Sequence, residues 1–290
     1  MVKDAKGLIA YIRSWLLMQA RSSRSESFVV GLSGGVDSAV VYALCRGTGL
    51  PTYAVLMPCH SSQSSLERAR EVLEVFGGSE NSSVVNLEEA FYSVATKVNG
   101  LDRESVISGS GDKNGAFSAL RSCLRAPTLD FVAKLNRGLV VGTGNRDEDE
   151  VTRYYQKRGD GAVDISPIAG LHKSEVYELA RELGVPESVL NAKPSADLLG
   201  PDSGQSDEAS LGMTYEQIEK ATRMVGSLYG KTSGDAFLHL ARALDRAGAG
   251  KDEFVQVLKD LGTMEMASKH KHNPNLPVCN VRDSGTGFVD

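Results

Sequence analysis

The stretch "SFVVGLSGGVDSA" at residues 27–39 constrains the fold more than any other part of the chain. An apolar, β-branched run is followed by two adjacent glycines and then by "AVVYALCR", whose apolar residues recur at helical spacing. This order predicts a buried strand, a tight turn and the start of a helix. Backbone amides at the start of a helix bind anions. The stretch therefore predicts a phosphate-binding loop in an α/β protein.

Further strands and helices alternate along the chain. Short valine-rich runs predict strands at 27–32, 52–58, 82–87 and 138–144, and helical patterns lie at about 38–47, 63–77, 88–99 and 113–136. This alternation predicts a doubly wound parallel sheet with helices on both faces. A helix at 174–183 and three more helical patterns up to about residue 261 predict a helical carboxyl-terminal part. We find no clear linker, and we expect residues 1–290 to form a single domain.

Composition and charge exclude several classes of protein. The 290 residues are 41% hydrophobic and 24% charged, which is ordinary for a globular protein, and the net charge of -5 provides no basic field for nucleic acid. Residues 1–25 alternate charged and apolar positions, which argues against a signal peptide and a membrane span. We therefore expect a cytoplasmic protein with no nucleic-acid and no membrane partner. The four cysteines lack paired spacing and predict buried free thiols: Cys45, Cys59, Cys123 and Cys279.

The residues of the loop indicate which kind of phosphate-binding loop it is. Ser33, Gly34 and Gly35 allow successive amides to point into one concavity, and Ser38 adds a hydroxyl group. Asp37 would repel a bound phosphate unless a divalent cation lay between them, which points to Mg²⁺ with this carboxylate as a ligand. No lysine follows the glycines, as a Walker A loop requires, and their spacing does not match Gly-x-Gly-x-x-Gly. A plain glycine turn between strand and helix is the alternative.

The sequence Ser-Gly-Gly-x-Asp-Ser resembles the PP-loop of the ATP pyrophosphatases. The resemblance implies an adenine nucleotide alpha hydrolase-like fold in which this loop holds the β and γ phosphates of ATP. Reaction then occurs at the α phosphate, so that pyrophosphate leaves and an adenylate forms. The loop residues to which this role would fall are Gly31, Ser33, Gly34, Gly35, Asp37 and Ser38.

Later stretches resemble the NAD synthetases. They are "VVGTGNRDEDE" at 140–150, "YYQKRGDGAVDISPI" at 154–168, "LHKSEVYELARELGVPESVLNAKPSADL" at 171–198, "GQSDEASLGMTYEQIE" at 204–219 and "SKHKHNP" at 268–274. The matches are collinear and cover most of residues 28–274. The resemblance implies a ligase that amidates deamido-NAD (nicotinic acid adenine dinucleotide) with ammonia and ATP, in the last step of NAD biosynthesis. The products would be NAD, AMP and pyrophosphate, formed through an adenylate.

The same resemblance implies roles for single residues and a homodimer. Asp37 and Glu148 would bind Mg²⁺, and Asp37 and Lys173 would be catalytic. Further ATP contacts would come from Thr143, Lys173 and Ser195. The residues that would contact deamido-NAD are Arg121, Arg125, Lys157, Asp164, His270 and Lys271.

Three local patterns bear on these roles. Lys173 is placed at the start of a helix, where a cation opposes the helix dipole unless an anion lies nearby, and this supports a place at the ATP phosphates. Three acids of 147–150, namely Asp147, Asp149 and Glu150, are typical of a solvated acidic turn. The family often carries two arginines on the helix before the Gly-Thr-Gly strand. Cys123 stands at the first of these positions, and Arg121 is the expected substitute.

The sequence alone leaves three alternatives to this function. One is another PP-loop adenylating amidotransferase, and a second is an RNA-modifying enzyme, which the missing basic field and paired cysteines disfavour. A nucleotide-binding regulatory protein that performs no reaction is a third. Only about thirty residues precede the loop, too few for a glutaminase domain, so we expect free ammonia as the nitrogen source.

Overall fold

The computed structural model describes residues 2–100, 102–107, 115–195, 206–250, 252–268 and 271. It contains a four-stranded sheet with the order β3-β2-β1-β4, in which every pair of neighbours is parallel. The strands are β1 (Ser27–Gly31), β2 (Thr52–Leu56), β3 (Ser82–Val84) and β4 (Gly138–Val141). All four predicted strands and their parallel arrangement are confirmed.

Helices connect these strands and continue after them. The first six are α1 (Ala5–Ser23), α2 (Val36–Arg46), α3 (Gln63–Phe76), α4 (Glu88–Asn99), α5 (Arg103–Ile107) and α6 (Ala116–Leu135). The last six are α7 (Lys173–Leu183), α8 (Glu187–Leu190), α9 (Asp207–Leu211), α10 (Tyr215–Tyr229), α11 (Gly234–Leu244) and α12 (Glu253–Ala267). The predicted helices and the helical carboxyl-terminal part are confirmed.

Strand β1 shows why its sequence is continuously apolar. Side chains alternate between the faces of a sheet, and Phe28 and Val30 pack into a core with α1, α2 and α7. Val29 points to the opposite face and packs into a second core with residues of α4 and α6. All three side chains are completely buried. The sheet is therefore covered on both faces, as a doubly wound fold requires.

A third core belongs to the carboxyl-terminal helices. Ile218 of α10, Phe237 of α11 and Leu258 of α12 form its centre. Val151, from the segment that follows β4, joins the same core. These helices are therefore fixed against the loop region at the carboxyl end of the sheet.

The order of the strands determines where a ligand crevice forms. From β1 the chain moves outward to β2 and β3, and it then returns to place β4 on the other side of β1. The reversal creates a crevice beyond the carboxyl ends of β1 and β4, the position at which open α/β sheets bind ligands. The glycine-rich loop follows β1, and the Gly-Thr-Gly stretch follows β4, so both border this crevice.

The structure bears on two expectations from the sequence, the absence of a membrane span and the burial of the cysteines. Within the described ranges, no helix has both the length and the apolar character needed to cross a bilayer. Cys45 and Cys59 are buried free thiols, as predicted, whereas Cys123 is partly exposed. Cys279 lies outside the described residues.

Candidate active site

The loop after β1 is held in shape by its own serines. The amide of Ser33 donates to Oγ of Ser38 at 3.2 Å, and Oγ of Ser38 donates to the carbonyl of Gly35 at 3.0 Å. Gly34 has a φ of +83°, and a Cβ at this position would overlap the carbonyl oxygen of Ser65 in α3. This glycine is therefore needed both for its backbone conformation and for the close approach of a helix.

A cavity of about 1050 Å³ opens beside this loop. It lies at the crevice beyond β1 and β4 and extends to the segment after α12. The sequence-predicted site residues that line it are Gly31, Ser33, Gly35, Asp37, Ser38, Arg125, Thr143, Glu148, Lys173, Ser195 and Lys271. Residues from six separate stretches of the chain therefore meet around one space.

Two carboxylates share one lysine at the edge of the cavity. Nζ of Lys173 donates to Oδ2 of Asp37 at 2.6 Å and to Oε1 of Glu148 at 2.9 Å. Tyr215 adds a hydrogen bond from its hydroxyl group to Glu148 at 2.7 Å, and Asn145 donates to Asp37 at 3.1 Å. The lysine side chain is 5% exposed. We call Asp37, Glu148 and Lys173 the carboxylate–lysine cluster.

The charges of this cluster act on one another in both directions. Burial raises the pKa of Asp37, and the carboxylate of Glu148 adds to this effect, although Lys173 opposes it. Burial lowers the pKa of Lys173, but the carboxylates of Asp37 and Glu148 outweigh it and raise the pKa. Burial raises the pKa of Glu148, but the lysine and the Tyr215 hydroxyl outweigh it and lower the pKa. The lysine is therefore a cation, with Glu148 ionised beside it. A cation at the start of a helix is stabilised by a nearby anion, and for Lys173 the protein itself supplies two, Asp37 and Glu148.

Asp147 fixes the start of the helix that carries this lysine. Its Oδ2 accepts the backbone amide of Lys173 at 2.8 Å, and its Oδ1 lies 2.6 Å from Nδ1 of His172. Both side chains are completely buried. The interpretation of Asp147 as part of a solvated acidic turn is therefore wrong, because it is an internal anchor of α7.

The backbone around Asp147 is a short π-helical segment, Asp147–Thr152. Burial, and next the charge of Glu148, raise the pKa of Asp149 well above its ordinary value. The Asp149 carboxylate packs against Gly144, where a Cβ would overlap it. The solvated-turn interpretation is thus wrong for Asp149 as well, and it fits Glu150, which is exposed and pairs with Arg146 at 2.9 Å.

The two arginines of α6 lie in different surroundings. Arg125 lines the cavity. Arg121 is buried, and its Cζ lies 4.7 Å from the centre of the Phe91 ring. The structure therefore brings Arg125 to the cavity, and it does not place Arg121 among the lining residues.

The remaining predicted substrate residues are spread out. Lys157 and Asp164 are exposed and do not line the cavity, and Asp164 accepts the amide of Val140 in β4 at 2.8 Å. His270 lies outside the described residues. Lys271 does line the cavity, and its Nζ donates to the carbonyl oxygens of Arg153 and Tyr155 at 2.9 and 2.7 Å. Desolvation lowers the pKa of this lysine.

Several site residues were not assigned from the sequence. Asn145 lies in the segment that follows β4, and its completely buried side-chain amide donates to Asp37. Tyr215 gave no signal, because an aromatic residue in an amphipathic helix is typical of core packing. Asp160 lines the cavity and is exposed; Oγ of Ser122 donates to it at 2.8 Å, and desolvation raises its pKa.

The fold and the site together define a class. A parallel sheet, a glycine-rich anion loop without a lysine after its first strand, and a carboxylate–lysine cluster at the same edge are features of a nucleotide-binding α/β protein of the PP-loop type. The comparison with known families is more specific. The chain belongs to the NAD synthase family, whose model matches residues 8–235.

Individual relatives agree with this assignment. The NH(3)-dependent NAD(+) synthetase of Alkaliphilus metalliredigens is 40% identical over 211 residues, 71% of this chain and 81% of the relative. The NH(3)-dependent NAD(+) synthetase of Alkaliphilus oremlandii is 36% identical over 253 residues, 87% of this chain and 96% of the relative. A solved NMN synthetase from Francisella tularensis superposes with a TM-score of 0.72 at 28% identity, over 94% of this chain and 99% of that chain. The resemblance found in the sequence is confirmed.

Proposed function

We propose that this protein catalyses the amidation of deamido-NAD with ammonia and ATP, and releases NAD, AMP and pyrophosphate. The observation that carries the proposal is the meeting of the phosphate loop with the carboxylate–lysine cluster, in which Lys173 contacts both Asp37 and Glu148. Relatives that are covered over most of their length are named NH(3)-dependent NAD(+) synthetases, which supports ammonia as the nitrogen source.

The reaction divides into two transfers. First, an oxygen of the nicotinate carboxylate bonds to the α phosphorus of ATP, and the bond from this phosphorus to the departing pyrophosphate breaks. Next, ammonia bonds to the activated carbonyl carbon, loses a proton, and AMP leaves with the former carboxylate oxygen. The chain itself supplies position and charge: the loop amides and Lys173 stabilise the leaving pyrophosphate, and Thr143 and Ser195 hold the nucleotide.

The residues present suit a magnesium ion. Asp37 and Glu148 offer hard oxygen donors, both side chains are accessible from the cavity at 16% and 18% exposure, and both already surround one cation, Nζ of Lys173. Among the described residues there is no cluster of three such ligands, but Mg²⁺ typically binds through one or two carboxylates plus substrate phosphates. When bound there, it would neutralise part of the charge on the triphosphate.

The residues proposed to contact deamido-NAD fall into two groups, those that line the cavity and those that lie away from it. Arg125 and Lys271 line the cavity, whereas Arg121, Lys157 and Asp164 do not. His270, the last member of this set, lies outside the described residues. We infer that a second copy of the chain completes the part of the site beyond the cavity, which makes the active form a homodimer.

Exposed apolar side chains support such an interface. Phe131 and Leu135 on α6 are 65% and 66% exposed, and Val94 and Val98 on α4 are 39% and 78% exposed. Each pair is spaced four residues apart and therefore lies on one side of its helix. Exposed apolar pairs on two neighbouring helices are typical of a surface that another protein covers.

A second candidate substrate comes from the solved NMN synthetase, which has a TM-score of 0.72. NMN is the nicotinamide mononucleotide part of NAD, so the same amidation would begin from nicotinate mononucleotide. The reacting carboxylate is the same in both substrates, and they differ only in the adenylate part. The choice between them therefore requires both substrates in one assay.

The decisive experiment incubates the purified protein with ATP, Mg²⁺, ammonium and either deamido-NAD or nicotinate mononucleotide. We expect NAD and AMP in equal amounts from deamido-NAD, and less turnover from the mononucleotide. Folded protein that forms neither NAD nor AMP would overturn the proposal. Glutamine in place of ammonium tests the nitrogen source, and we expect it to support little or no turnover.

Asp37→Asn tests the proposed metal ligand. We expect this variant to need more Mg²⁺ for half-maximal rate, because the amide is a weaker ligand than the carboxylate. Unchanged turnover at limiting Mg²⁺ would remove Asp37 from the metal site.

A further inference from the structure

Arg68 lies on α3 beside the phosphate loop, and no role follows for it from the sequence patterns. Its Nε donates to the carbonyl oxygen of Gly34 at 3.0 Å, and its Nη2 donates to Oγ of Ser65 at 2.9 Å. The side chain is partly buried and lines the same cavity as the loop. A guanidinium group has five N–H donors. These two bonds hold the group in place and leave three donors for a ligand.

The surroundings of Arg68 distinguish it from two other cations of the cavity, Lys173 and Arg153. Lys173 contacts two carboxylates, and Arg153 pairs with Glu265 at 2.5 Å. Both partners of Arg68 are neutral, and across the described ranges no carboxylate forms an ion pair with it. Its positive charge is therefore uncompensated at the edge of the phosphate loop.

The contact with Gly34 places this charge at one particular part of the loop. Gly34 has a φ of +83° and lies against the first turn of α3, which brings the helix and the loop into direct contact. Nε of Arg68 is therefore held 3.0 Å from the carbonyl oxygen of Gly34, which fixes the guanidinium group beside the loop. A planar guanidinium matches two oxygens of a phosphate group, and it is preorganised for that contact.

We propose that Arg68 binds the part of ATP that leaves as pyrophosphate, together with the loop amides. This inference rests on the proposed function, because it assigns one more ligand to the same nucleotide. It gives the leaving group a charge partner separate from the carboxylate–lysine cluster, whose lysine is shared with two acids. Arg68 would thus stabilise pyrophosphate both in ATP and as the free product.

The test measures binding of inorganic pyrophosphate and of AMP, each with Mg²⁺, by titration calorimetry. In Arg68→Met we expect pyrophosphate affinity to fall about tenfold, as for loss of one charge-assisted hydrogen-bonding group. AMP affinity should stay unchanged, because AMP lacks the β and γ phosphates. Arg70→Met is the matched control, since Arg70 is exposed on the same helix, and it should leave both affinities unchanged.

Arg68→Lys separates ligand binding from a structural role. Lysine keeps the charge but lacks the planar fork, and we expect this variant to bind pyrophosphate more weakly than the wild type and more tightly than Arg68→Met. If it binds as weakly as Arg68→Met, Arg68 acts by holding the loop, and the proposal is overturned. Equal pyrophosphate affinity in Arg68→Met and the wild type, or undetectable binding to the wild type, also overturns it.

The same variants separate this inference from the proposed function. Arg68-dependent pyrophosphate binding in a protein that forms no NAD would overturn the function and leave the binding role standing. NAD formation by the wild type, with pyrophosphate affinity unchanged in Arg68→Met, would overturn the role of Arg68 alone.

Discussion

At the scale of single residues, Lys173 is a cation that contacts both carboxylates of the carboxylate–lysine cluster. Its ammonium group contacts Asp37 at 2.6 Å and Glu148 at 2.9 Å in a largely buried position. Removal of one partner of a buried ion pair leaves the other charge uncompensated, which costs more than the pair contributes. The lysine is therefore important to the fold as well as to the reaction.

We predict that Lys173→Met lowers the amidation rate at least about 100-fold, because the leaving pyrophosphate loses a charge partner. The free energy of unfolding at pH 7 should fall by about 3–5 kcal/mol, since two carboxylates lose their cation. Steady-state kinetics and urea unfolding measure the two effects. Lys134→Met, at an exposed position of α6, serves as the control, and wild-type rates in Lys173→Met would contradict the prediction.

Asp147 makes a second prediction at this scale. Asp147→Asn weakens both the helix cap at the amide of Lys173 and the bond to His172, so we expect unfolding free energy to fall by about 1–3 kcal/mol. The catalytic rate should fall as well, because Lys173 loses its fixed position. Glu150→Gln, in the same π-helical segment but exposed, should change stability by less than about 0.5 kcal/mol. Equal effects of the two substitutions would show that Asp147 is not an anchor.

At the scale of elements, the contact between the phosphate loop and α3 depends on one glycine. In Gly34→Ala the new Cβ would overlap the carbonyl oxygen of Ser65, and the φ of +83° is unfavourable for alanine. We expect a loss of about 1–3 kcal/mol in unfolding free energy and weaker ATP binding. Gly35→Ala should be tolerated better, because its Cβ would meet only Oγ of Ser33 at 3.4 Å. Thermal unfolding of both variants is the measurement, and equal melting temperatures would refute the argument.

The sequence predicted regular elements well, and the reasons are physical. The "SFVV" run predicted β1 because alternate side chains enter two cores, and α6 was predicted through Pro127 because its apolar spacing continues beyond that residue. The π-helical segment Asp147–Thr152 was not predicted, since a run of four acids has no apolar periodicity to reveal it. For the same reason, the burial of Asp147 and Asp149 could not be inferred, because it depends on α7 and on the cavity wall.

At the scale of the whole molecule, the homodimer is the prediction that depends on more than one chain. Phe131→Ser, on the exposed side of α6, should shift the molecular mass in solution from dimer towards monomer, because an apolar interface loses its largest side chain. Light scattering measures the mass, and turnover of deamido-NAD should fall with it. Met18→Ser is the control at another exposed apolar side chain, 54% exposed on α1. A wild-type chain that is monomeric and fully active would contradict the proposed interface.

The carboxylate–lysine cluster also bears on whether the protein needs a bound metal ion before it binds a nucleotide. Because Lys173 already provides a counter-charge that contacts both Asp37 and Glu148, we expect the unloaded enzyme to need no resident cation to stay folded. Mg²⁺ would then arrive with ATP rather than ahead of it. We expect a chelator such as EDTA to leave the melting temperature of the unliganded protein unchanged, and to abolish only the stabilisation that ATP brings. A large drop in the melting temperature of the unliganded protein would show that the lysine is an insufficient counter-charge.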